Sequence, residues 1–139
     1  MSQKYEIIIF TASTQYYADA IINHIDPENK YISYVLTRKH CMQTKNGFFI
    51  KDLRIIKNRD LKDMVIVDNL LHSFGLQIDN GIPILEFIDY KRDEELKHLE
   101  RYLNRLYDAE DVRVFNRREL RLKDISRNKK HIYNLINQN

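Results

Sequence analysis

A single cysteine, Cys41, rules out an internal disulfide and makes a reducing compartment the default expectation. Only 3 glycines and 2 prolines occur in 139 residues, which excludes fibrous and loop-dominated architectures. No low-complexity tract or internal repeat is visible. No apolar run approaches the roughly 20 residues that a membrane-spanning helix needs. The opening Met1-Ser-Gln-Lys-Tyr5 has neither a signal-peptide apolar stretch nor the arginine-rich character of a transit peptide. Cytoplasm or nucleus is therefore the expected location. Histidines at 24, 40, 72, 98 and 131 show no zinc spacing. Cys41 has no activating partner nearby in sequence, so it reads as a small packed residue.

What remains is the composition of an ordinary globular domain, with 43% hydrophobic and 31% charged residues. A net charge of +3 is compatible with an anionic partner without demanding nucleic acid, and none is expected. The charge is uneven. Residues 113–130 hold eight Lys or Arg against two acidic residues, so residues 116–139 read as a basic, solvated tail after a domain at 1–115.

The hydrophobic pattern alternates between strand and helix. Tyr5-Glu-Ile-Ile-Ile-Phe10 suits a strand buried on both faces. Ala18, Ile21, Ile22 and Ile25 predict one face of a helix, which Asp26-Pro27 should end. Tyr31–Leu36 is a second strand, and Lys45-Asn46-Gly47 marks the turn of a small hairpin. Met64-Val-Ile-Val67 and Gly81–Leu85 are two further strands. Leu96, Leu99, Leu103 and Leu106 predict an amphipathic helix starting at Asp93, after which the pattern weakens. This order predicts an α/β fold, a Rossmann-like parallel sheet with flanking helices and a β-hairpin insertion. Such sheets bind ligands beyond the carboxyl ends of their strands.

Two strands deliver polar residues at those ends: Thr11 and Ser13 from the first, Asp68 and Asn69 from a later one. Thr11 stands before a helix, whose free N–H groups and dipole favour an anion such as phosphate. Asp68 and Asn69 offer hard oxygen ligands suited to magnesium. Lys51, in the otherwise apolar Phe48-Phe-Ile-Lys-Asp-Leu53, is placed to neutralise a phosphoryl group. Each has a plainer alternative: a helix cap for Thr-x-Ser, a turn for Asp-Asn, a solvated surface position for the lysine.

Their joint order resembles a known family. Phe10-Thr-Ala-Ser13, Tyr17-Ala-Asp19, Arg38-Lys-His-Cys41, Ile50-Lys-Asp-Leu53, Val65-Ile-Val-Asp-Asn69 and Asn80-Gly-Ile-Pro-Ile84 occur in this sequence in the same order as in the FCP1-homology phosphatases. That family comprises CTD small phosphatases, Dullard-like phosphatases and TIM50-like proteins, within the haloacid dehalogenase superfamily. The resemblance runs from about Tyr5 to about Val114. It implies a haloacid dehalogenase-like fold and a Mg2+-dependent protein serine/threonine phosphatase, acting on phosphoserine or phosphothreonine in protein segments. It further implies phosphate-binding roles for Thr11 and Lys51, and a substrate-contacting role for Arg38, Tyr17 and Thr14. Asn69 would be the direct metal ligand, supported by Asp68.

Family members also carry an Asp-x-Asp motif at the end of an N-terminal strand. Its first aspartate attacks phosphorus and its second acts as general acid and base. No Asp-x-Asp occurs in these 139 residues. The sequence as given is therefore expected to be a fragment without its catalytic strand, to bind Mg2+ weakly if at all, and to hydrolyse nothing. The alternative is a pseudophosphatase or a non-catalytic module resembling the TIM50 import component, which would be mitochondrial.

Overall fold

Four consecutive apolar residues, three of them β-branched, make Ile7–Phe10 the first strand (β1) of a computed structural model that describes residues 1–89 and 92–124. The chain divides into two compact units, Met1–Asp52 and Leu53–Asn139.

In the first unit, β1 pairs in parallel with β2 (Ile32–Leu36), Ile8 opposite Tyr34 and Phe10 opposite Leu36. Parallel neighbours need a crossover, and α1 (Gln15–Ile25) supplies it. The helix buries Ala18 and Ile22, whereas Ile21 and Ile25 stay 45% and 58% exposed. The apolar face expected from four residues is thus narrower, because a two-stranded sheet covers only the i, i+4 stripe. The helix stops at Asp26, whose N–H donates to the Ile22 carbonyl. The buried Asp26 carboxylate accepts the backbone N–H groups of Lys30, Tyr31 and Ile32, each at 2.9 Å, and so ties the helix end to β2. Burial pushes this carboxyl up, but the three N–H donors outweigh it and hold the group below its ordinary value. The expected hairpin is present: β3 (Met42–Gln43) and β4 (Phe49–Ile50) pair antiparallel, with Gly47 at φ 83° in the turn.

In the second unit, β5 (Ile66–Asp68) and β6 (Gly81–Pro83) pair in parallel. Their crossover, Leu71–Asn80, winds as short 3₁₀ turns broken at Phe74 and Gln77. Phe74 is fully buried with Leu53, Ile66 and Leu122. A second cluster joins Ile82, Leu106 and Val112. The expected helix is α2 (Glu95–Leu106), which buries Leu106 and packs Leu99 and Leu103, while Leu96 is 73% exposed.

A further helix, α3 (Val112–Leu120), follows where the sequence pattern faded. Asp111 caps it, accepting the Arg113 N–H at 2.9 Å. Its inward position is polar: buried Asn116 donates to the carbonyls of Asp79 (3.0 Å) and Gly81 (3.4 Å) and accepts from the Tyr102 hydroxyl (2.8 Å). The boundary expected between 115 and 116 falls inside α3, and Leu122 belongs to the core. The rest of the expected basic tail, 125–139, lies outside the described residues.

The architecture is mixed α/β, with small parallel sheets and helices compatible with the expected fold. One departure is plain: among the described residues the parallel strands form two separate pairs, because no strand hydrogen-bonds to both β1 and β5. No helix among the described residues is long and apolar enough to cross a membrane.

Candidate functional site

β1 runs into Thr11, whose N–H donates to the Leu36 carbonyl at 2.8 Å and extends the parallel ladder by one residue. The chain then turns. The Ser13 N–H donates to Thr11 Oγ1 (3.1 Å), a side-chain turn that leaves the Thr11 hydroxyl proton available to an acceptor. The loop after β2 clasps the loop after β1: the Arg38 N–H donates to the Ser13 carbonyl (2.9 Å) and Arg38 Nε to the Ala12 carbonyl (2.7 Å). The Arg38 guanidinium carbon also lies 5.1 Å from the centre of the Phe49 ring, so β4 supports it from another side. Its two terminal nitrogens make no hydrogen bond among the described residues.

Thr14 is the N-cap residue of α1, with extended backbone and no side-chain cap bond. The first intrahelical donor is the Ala18 N–H, which reaches the Thr14 carbonyl at 3.0 Å. The N–H groups of the helix's opening turn therefore have no helical partner and can accommodate an anion. Tyr17 sits in that turn, 59% exposed. Lys51 follows β4 and is half-buried.

Two supporting residues, Thr37 and Gln15, escaped the sequence reading. Buried Thr37 donates its hydroxyl to Gln15 Oε1 (3.2 Å) and its N–H to His40 Nδ1 (2.9 Å). The only available signal was a threonine directly after an apolar strand. Cys41 places its sulfur 3.8 Å from the Thr11 carbonyl and 3.9 Å from that of Thr37, the packed role expected for it.

Asp68 and Asn69 lie in the second unit. Asp68 ends β5 and is buried; its carbonyl accepts the Ile84 N–H (3.3 Å) and its Oδ1 the Leu70 N–H (2.8 Å). Asn69 is exposed. The plain turn role of the pair is thus realised, with one carboxylate oxygen engaged in the turn. Magnesium demands near-octahedral oxygen ligation, and among the described residues no group of three His, Cys, Asp or Glu could hold a metal ion. Among the described residues, Asp68 and Asn69 do not by themselves make a magnesium site.

Thr11, Thr14, Tyr17, Arg38 and Lys51 therefore all belong to the first unit, and the hydrogen bonds join the Thr11–Thr14 loop to Arg38. Comparison with known proteins gives this arrangement a context. The sequence profile of NLI interacting factor-like phosphatases matches residues 1–113. CTD small phosphatase-like protein 2 of Dictyostelium discoideum is 45% identical over 122 residues, 88% of this chain and 21% of that protein. CTD small phosphatase-like protein 3 of Caenorhabditis elegans is 38% identical over 141 residues, 99% of this chain and 46% of that protein. Mitochondrial import inner membrane translocase subunit TIM50 of Candida glabrata is 39% identical over 127 residues, 86% of this chain and 26% of that protein. The chain thus spans less than half the length of each of these relatives. It belongs to the NLI interacting factor-like (FCP1-homology) phosphatase family of the haloacid dehalogenase superfamily.

Proposed function

We propose that this chain carries the phosphate-holding part of a magnesium-dependent protein serine/threonine phosphatase domain, whose attacking aspartate is not among its 139 residues. The observation that supports this most is the Arg38-clasped loop Thr11–Thr14 at the carboxyl ends of β1 and β2, opening directly onto the N-terminus of α1. In this reading the Thr11 hydroxyl and the opening N–H groups of α1 hold the phosphoryl oxygens. Lys51 neutralises the charge of those oxygens, while the breaking bond puts new negative charge on the leaving oxygen. Arg38, fixed through Nε, presents its terminal nitrogens to a second anionic group of the substrate. Tyr17 and Thr14 flank the bound segment of a phosphoserine- or phosphothreonine-containing protein. Asn69, with Asp68 behind it, contributes one side of a metal site that needs further carboxylates to close.

Chemistry requires a carboxylate to attack phosphorus, forming an acyl phosphate and releasing the seryl or threonyl oxygen, which takes a proton from a general acid. Neither group is supplied here, so the chain as given holds phosphate without cleaving it.

The similarity to a TIM50 subunit supports a second reading, a non-catalytic binding module working in mitochondria rather than in the cytoplasm or nucleus. One experiment separates the two. A form of the chain extended upstream of Met1 by a segment bearing Asp-x-Asp should hydrolyse p-nitrophenyl phosphate only with magnesium. Lys51→Met and Thr11→Val should each lower kcat/KM by roughly a hundredfold while leaving the circular dichroism unchanged. Unchanged rates in both variants would overturn the site assignment. An intact upstream segment without Asp-x-Asp and without turnover would favour the binding module.

A further inference from the structure

Asparagine followed by glycine occurs twice in the chain, at Asn46-Gly47 and at Asn80-Gly81. The pair is chemically reactive wherever the backbone can move, because glycine has no side chain to shield its nitrogen from the preceding amide. The fold gives the two copies opposite surroundings. Asn46 is exposed, in the turn that joins β3 to β4. The turn is closed through Thr44, whose carbonyl accepts the Gly47 N–H (3.0 Å) and whose Oγ1 accepts the Phe48 N–H (3.0 Å). A Cβ built on Gly47 would meet nothing within 4 Å outside its chain neighbours, so a ring formed there has open space. Asn80 is 2% exposed, and its Nδ2 donates to the carbonyls of Leu61 (2.5 Å) and Met64 (2.7 Å). The space beside Gly81 is filled by the ring of Phe74.

From this contrast we infer that Asn46 is a site of covalent modification, deamidating through ring closure onto Gly47, and that the fold holds the identical pair at Asn80 inert. In the reaction the Gly47 nitrogen gives its proton to solvent base and attacks Cγ of Asn46, forming a cyclic imide. The bond from Cγ to Nδ2 breaks, and ammonia leaves with a proton taken from solvent. Water then opens the ring. Attack at Cγ yields aspartate; attack at the backbone carbonyl yields isoaspartate, which routes the main chain through Cβ. Water is the only co-reactant. The reacting conformation needs a brief opening of an exposed turn flanked by strands of two residues each, which belongs to the least stable class of local structure. At Asn80 the same step must first pull the amide from two carbonyls inside the core, leaving buried polar groups unpaired. Either product at residue 46 places a new carboxylate between Lys45 and Lys51 in sequence. The isoaspartyl form also lengthens the turn that leads into β4, whose Phe49 ring lies against Arg38.

The test incubates the 139-residue chain at mildly alkaline pH, folded in buffer and unfolded in urea, and follows the peptides carrying Asn46 and Asn80 by liquid chromatography and mass spectrometry. In the folded chain Asn46 should lose its amide at least about tenfold faster than Asn80, the ratio set by the two opening costs. In urea the two rates should come within about threefold of each other, since the fold that separates them is gone. The modified Asn46 peptide should elute as two species of equal mass, aspartyl and isoaspartyl. A folded ratio below tenfold, or a ratio that persists in urea, would overturn the inference. A single aspartyl product would overturn the ring closure, because direct hydrolysis of the amide yields no isoaspartate.

Discussion

Gly81 is the residue whose replacement the structure constrains most sharply. Its backbone (φ −84°, ψ 140°) suits any amino acid, so Gly81→Ala carries no conformational penalty. The cost is steric: an added Cβ would stand 2.8 Å from Cζ of Phe74 and closer still to Cδ2 and Cε2 of the same ring. Phe74 cannot swing away, because it is wholly buried among Leu53, Ile66 and Leu122. Overpacking of this kind costs about 1–3 kcal/mol. Against it, the loss of glycine's freedom in the unfolded chain returns about 0.4–1 kcal/mol. A net destabilisation of about 1–2 kcal/mol follows, which lowers a urea midpoint by roughly 1 M at a typical denaturant slope. Urea unfolding followed by circular dichroism reads this directly. Phe74→Leu in the same chain removes the clashing ring atoms, so the double variant should lose less than the sum of the two single changes. The contact matters for the position of Asp68 because β6 pairs with β5, setting Pro83 opposite Asp68. A Gly81→Ala midpoint equal to or above the parent's would refute the packing argument.

Other predictions concern titration. Asp26 holds a carboxyl below its ordinary value of 3.8, so the stability it contributes is fully present above that pH and fades as pH falls through the lowered value. Asp26→Asn should flatten the acid limb of a stability-versus-pH curve; an unchanged limb would contradict the triple N–H contact. Burial first, and then the negative charge of Glu119, push the Tyr102 hydroxyl up to about 12. Its contribution is complete below the ordinary value of 10.0 and is lost as pH rises toward 12, so Tyr102→Phe should lessen the alkaline loss of stability. An equal alkaline loss in the variant would show that Tyr102 titrates normally.

Elements with a local signal were readable from the sequence: β1 and β5 as contiguous apolar runs, the hairpin from its turn at Gly47, and α2 from its leucine period. So was the setting of Thr11, since an apolar strand breaking into Thr-Ala-Ser before a helix has few structural solutions. Features decided by distant partners were not. The inward face of α3 carries Asn116, an amide that replaces an apolar residue in the periodic pattern while satisfying two carbonyls and a tyrosine from other segments. Asp26 reads as the residue before a proline, yet its carboxylate organises the approach to β2. The crossover at Leu71–Asn80 lacks a helical period because it is broken at two positions. Arg38 was identified through resemblance, but its clasp on the Ala12 carbonyl required the fold.

The proposed function divides the labour between a chain that holds phosphate and an aspartate outside its 139 residues that attacks it. The deciding measurement is phosphate release from p-nitrophenyl phosphate with magnesium present, by the 139-residue chain and by a form of it extended upstream by a segment bearing Asp-x-Asp. The expected result is no release above buffer from the 139-residue chain and turnover from the extended form. Magnesium-dependent turnover by the short chain would contradict it.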